Sequence, residues 1–119
     1  MNDDHKAAAG RALLEQLCGD PAAIDHFPER LRRHTLEHVF GDVWQGTDLA
    51  LDERSLVTCT ILTVLARERE QRFHFAAARR LGVPREKLAE MIVHAAHYAG
   101  WPVAVGALRT LQEVWPEDA

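Results

Sequence analysis

Almost every stretch of this chain between its prolines and glycines places apolar residues at helical spacing. No stretch alternates apolar and polar residues as a half-buried strand does. That pattern excludes a sandwich, a barrel or a parallel sheet and leaves an all-α chain. The spacing and its punctuation predict six helices, over 4–18, 28–45, 53–66, 68–81, 84–99 and 103–115. Gly19, Gly82 and Gly100 stand where helices should stop, and Pro84 and Pro102 where new ones should begin. Asp20-Pro21 reads as a further helix-start pair, and Asp52 as the cap of the third helix. Over 28–45, Leu36, Val39, Phe40, Val43 and Trp44 form one apolar stripe. Over 53–66, apolar residues wrap nearly all round, which predicts the buried central helix. The fourth helix should turn Phe73, Ala77 and Leu81 inward, and the fifth Leu88, Met91, Ile92, Ala95 and Ala99.

A chain of 119 residues reads as one domain over 1–119, able to build one core. The formal charge of −4 argues against nucleic-acid or anionic-membrane partners. The opening MNDDHKAAAG carries no apolar secretory core, and the longest apolar-rich stretch, 56–66, is interrupted by Thr58, Thr60 and Thr63. The expectation is a soluble, cytoplasmic protein with reduced thiols. Its two cysteines, Cys18 and Cys59, form neither a CxxC pair nor zinc spacing. Cys59 on the third helix reads as a small core residue.

Three groups of residues could carry chemistry. Glu90, His94 and His97 fall within roughly 60° of arc on the fifth helix, at about 100° per residue. They are either a solvated face, a pocket face with a proton-transfer histidine, or two ligands of a metal site that lacks a clear third. Arg67, Glu70 and His74 share a face of the fourth helix, as an ordinary salt-bridged surface or as part of a site. Phe73 and Phe75 flank His74, a setting that can keep it neutral near pH 7. Arg54 stands in the first turn of the third helix, where a cation opposes the helix dipole. Either a bound carboxylate or a plain ion pair explains it. His5, His26, His34 and His38 read as surface residues.

The runs FGDVWQGTDLALDERSLVTCTILTVLARERE and QRFHFAAARRLGVPREKLAEMIVHAAHYAGWPVAVGALRTL together resemble the carboxymuconolactone decarboxylase family. Its all-helical fold is shared with the AhpD-type alkylhydroperoxidases. The resemblance spans about 27–115. It implies a six-helix AhpD-like fold, assembled as a homotrimer or homohexamer. The peroxidase branch carries CxxCxxxH, but Arg67 and Glu70 occupy its two cysteine places ahead of His74, and Ser55 the place of its relay acid. The resemblance therefore implies the decarboxylase branch, with His94, Ala96, Tyr98 and Gly100 matching its signature and Asp42 in the acidic place of FGDVW. His97 stands where the family commonly has a small or aliphatic residue.

The reaction that the resemblance implies is loss of CO2 from a small carboxylated lactone in aromatic catabolism, with no cofactor and no metal. Catalysis would fall to His74, His94 and Glu70, and substrate binding to Arg54, Arg67, Tyr98, His97 and Asp42. A peroxidase-type redox protein, and a family member of other substrate acting as isomerase or binding protein, stand as the alternatives.

Overall fold

A computed structural model of the chain describes residues 2–20 and 22–118. It contains six α-helices and, among the described residues, no strand. The helices are α1 (Asp3–Cys18), α2 (Glu29–His34), α3 (Leu51–Val64), α4 (Glu68–Arg80), α5 (Arg85–Ala99) and α6 (Trp101–Val114). They fall into two compact units, divided after Leu51.

In the first unit the Asn2 side chain accepts the His5 N–H at 2.9 Å and starts α1, with Asp3 and Asp4 placed to favour the helix dipole. Gly19, at φ 72°, ends it. The single helix predicted over 28–45 is broken. Regular α2 stops at His34, residues Thr35–Val39 form one π-helical turn, and Val43–Gln45 a 3-10 turn. Close packing explains the break. A methyl on Gly10 would strike the Leu36 carbonyl, and one on Gly41 would strike the Lys6 and Leu36 carbonyls. Backbone thus lies directly on backbone where α1 crosses the π turn. The looser winding is held by the Phe40 N–H donating to the Thr35 carbonyl at 3.0 Å and the Thr35 hydroxyl to the Leu31 carbonyl at 2.8 Å. Beyond the Asp20-Pro21 pair, residues 22–26 form turns. Pro21 lies outside the described residues, and the Asp20 carboxylate caps a turn through the Ala22 N–H.

The second unit is built on α3 to α6. Its core joins Cys59 of α3, Phe75 and Ala78 of α4, Val83 of the turn that follows, Leu88, Ile92 and Ala96 of α5, and Ala104, Ala107 and Leu111 of α6. Phe75, not Phe73, is the fully buried ring of α4. Arg72 pairs with Glu113, and the Arg79 guanidinium stacks 5.3 Å over the Trp115 ring, tying α4 to α6 and the residue after it.

The prediction of a buried α3 is overturned. Its buried residues are Ser55, Cys59 and Thr63, a small and partly polar stripe, while Val57, Ile61 and Val64 on the opposite side are 44%, 52% and 45% exposed. Because the helix is apolar all round, its sequence could not show which side faces inward. Of this stripe Cys59 joins the core of the unit, and two side-chain bonds tie α3 to α4. The Cys59 thiol donates to the His74 carbonyl at 3.5 Å, and the buried Gln71 amide donates to the Leu62 carbonyl at 3.0 Å. The link between the two helices turns at Ala66, whose φ of 57° is unusual for a residue with a side chain. No helix among the described residues is long and apolar enough to cross a membrane.

Candidate active site

Helix α4 carries His74 half-buried, with its ring edge-on to Phe73 at 4.8 Å. Burial pushes its pKa from 6.5 down to about 4, while the Glu70 carboxylate one turn earlier pulls upward. The imidazole is therefore neutral at pH 7. It can donate or accept a hydrogen bond, but it cannot serve as a standing imidazolium acid. The neighbouring Cys59 thiol is pushed up to about 12, chiefly by burial and partly offset by the Ser55 hydroxyl beside it. It stays a thiol at neutral pH.

The His74 shift sets a pH dependence of stability. Above about pH 6.5 the ring is neutral in folded and unfolded chains alike and adds no slope. Between 6.5 and about 4 the unfolded chain takes up a proton that the folded chain refuses, so stability falls as pH drops. The full effect is roughly 3 kcal/mol. Denaturant titrations at pH 7 and pH 4.5 should show His74→Gln losing less stability than the parent over that interval. Equal losses would refute it.

Helix α5 carries the second group. The ring of exposed His94 stacks on Tyr98 at 4.9 Å and 28°, and Tyr98 itself is 82% exposed. His94 borders a hollow of about 380 Å³ between α3 and α5. Leu56, Met91 and Thr60 line it with Lys87, Glu90 and His94, so an apolar wall faces a cation, an acid and an imidazole. That arrangement suits a small anionic molecule with an apolar body. His74 does not line this hollow.

Other predicted residues lie elsewhere. His97 shares the helix but turns away from the hollow. Its Nδ1–H donates to the Val93 carbonyl at 2.9 Å, and its ring meets Trp101 edge-on at 6.3 Å. Arg54 is half-buried on α3, and Arg67 is exposed at the start of α4, where its carbonyl accepts the Gln71 N–H. Asp42 lies in the first unit and is 3.8 Å from Lys6. Sequence reasoning misses Lys87 and Thr60 as site residues. Lys87 precedes Glu90 by three residues and His94 by seven, so helical spacing alone places it on their face. Thr60 carries no such signal, because its place on the hollow depends on which side of α3 turns inward.

The model of the carboxymuconolactone decarboxylase family matches residues 29–113. The 4-carboxymuconolactone decarboxylase of Acinetobacter baylyi is 29% identical to the chain over 123 aligned positions, covering 98% of the chain and 92% of that relative.

Proposed function

The chain belongs to the carboxymuconolactone decarboxylase family, and from that premise we propose that it is a cofactor-independent carboxy-lyase acting in the cytoplasm on a small carboxylated lactone of aromatic catabolism. The observation that carries this reading is the hollow lined by Lys87, Glu90 and His94 against Leu56 and Met91. The similar Acinetobacter baylyi protein, named as a decarboxylase, supports the reaction class.

In a γ-carboxy-γ-lactone the C–C bond to the carboxylate breaks and CO2 leaves. The electron pair delocalises through the C=C to the lactone carbonyl oxygen, and a proton then returns to carbon. The substrate is its own electron sink. Arg54 is assigned to the carboxylate, with Arg67 as the second cation. His74 is assigned to the developing oxyanion by its place in the family motif; it stands outside the lining of the hollow, and its desolvated N–H would hold charge that develops beside it more strongly than a solvated donor could. Glu70 tunes that imidazole. His94, open to solvent beside Glu90, is assigned to the returning proton, with Tyr98 stacked on it.

Incubation of the purified protein with 4-carboxymuconolactone should release CO2 and form the enol-lactone at a rate proportional to enzyme. A folded protein that leaves the lactone unchanged would sink this substrate. The redox alternative finds no support at Cys59, which is fully buried with its thiol pushed up to about 12, or in the peroxidase motif, whose two cysteine places hold Arg67 and Glu70.

The reading includes a homotrimer or homohexamer. Val57, Ile61 and Val64 leave one side of α3 about half-exposed, and Leu65 just after the helix is 56% exposed. Covering four such side chains is worth several kcal/mol, since full burial of one yields about 1.5–3 kcal/mol. That is comparable to the margin by which domains are stable. Light scattering at micromolar concentration should give three or six chains per particle, and Ile61→Asp should reduce that number. A monomer peak for the parent protein would refute the assembly.

A further inference from the structure

We propose that His34, Glu37 and His38 form a binding site for a divalent transition-metal ion, a role apart from decarboxylation and using none of the residues assigned to it. The three form the pattern H-x-x-E-H, which on a helix sets two imidazoles one turn apart with a carboxylate on the same face. Residue spacing alone is a weak sign, and by sequence the two histidines are ordinary surface residues. The structure adds three observations.

First, the ligand atoms of all three side chains lie within 4.8 Å of one another. Tetrahedral bonds of 2.0–2.1 Å to one ion would set them about 3.3 Å apart. His38 is exposed, so side-chain rotation can close the difference. Second, the two imidazoles already lie face to face, 5.0 Å apart and 19° from parallel. Their rings are therefore aligned on one side of the helix rather than splayed into solvent. Third, Glu37 is only 8% exposed, and no ion pair among the described residues includes it. Packing of its stem holds the Glu37 carboxylate beside the two rings, where a cation can take it as a ligand. A cation between Glu37 and the two rings would supply the partner.

The local backbone fits the assignment. Glu37 and His38 lie on the π turn that the Gly10 and Gly41 contacts impose, and π turns concentrate at functional sites. The same packing fixes the Leu36 carbonyl and so holds the neighbouring Glu37 in place. Two imidazoles and one carboxylate favour zinc, cobalt, nickel or copper over calcium or magnesium, which prefer all-oxygen shells. Three protein ligands leave a fourth position for water or a small anion.

The test uses the untagged full chain, stripped with chelator and titrated with Co(II), read by its visible ligand-field absorption, and with Zn(II), read by calorimetry. One ion per chain is expected. His38→Ala, at an exposed position that should fold normally, should weaken binding by about a hundredfold or more, beyond the loss typical of an outer-sphere partner. Glu37→Gln, which keeps the side-chain shape, should also weaken it. Circular dichroism of both variants should match the parent. The proposal is overturned if the parent binds no ion, if His38→Ala binds as tightly as the parent, or if binding is instead abolished by His94→Ala/His97→Ala.

Discussion

Replacing His74 by alanine is expected to lower turnover of the carboxylated lactone by about 10²–10³-fold, the usual effect of removing one positioned oxyanion donor. The chain should still fold. The bond that ties α3 to α4 at this residue is made by its backbone carbonyl to the Cys59 thiol, and the substitution leaves it intact. Circular dichroism should therefore match the parent while kcat falls. His74→Gln keeps an N–H donor near the same place and should recover part of the loss, which a purely structural role would not predict. The neutral state of the ring adds a further signature. With its pKa near 4, His74 does not titrate between pH 6 and 8, so any inflection of the rate there belongs to another group. Wild-type turnover by the alanine variant would remove His74 from the reaction.

The largest stability effect is expected at Gly10. It sits in the interior of α1, where alanine is ordinarily about 1 kcal/mol better than glycine. The added methyl would strike the Leu36 carbonyl, which is backbone and cannot rotate aside. Overpacking against flexible side chains already costs about 1–3 kcal/mol, and a rigid neighbour places this change at or above the top of that range. Gly10→Ala should therefore destabilise by about 3 kcal/mol and lower Tm by on the order of 10 °C. Gly41→Ala, aimed at the Lys6 and Leu36 carbonyls, should behave alike. Thermal and urea denaturation check both. An unchanged or raised Tm for Gly10→Ala would show that α1 does not cross the π turn at this distance.

Several helix ends are legible in the sequence because their causes are local. Gly19, Gly82 and Gly100 all have positive φ, as their places after apolar runs imply. The break in 28–45 is hidden because Leu36, Val39, Phe40, Val43 and Trp44 keep helical spacing straight through it. Only Gly41 hints at it, and its meaning depends on where α1 lies. The side of α3 that turns inward is illegible for a similar reason: choosing Ser55 and Thr63 over Val57 and Ile61 depends on where the rest of the unit's core lies. At the site, the flanking phenylalanines correctly point to a neutral His74. Helical spacing puts His97 with Glu90 and His94, but its bond to the Val93 carbonyl draws it away. The interest of His34 and His38 is invisible in the sequence because spacing cannot reveal that Glu37 between them is buried.

The two thiols give the chain a built-in clock for its own opening. Cys18 is half-buried at the end of α1, whereas Cys59 is fully enclosed between α3 and α4. A thiol-labelling reagent should reach Cys18 in the native state. It reaches Cys59 only when α3 lifts from α4. The second modification on each chain therefore times local unfolding of the C-terminal unit, and intact-mass spectra taken during labelling separate that motion from events in the N-terminal unit.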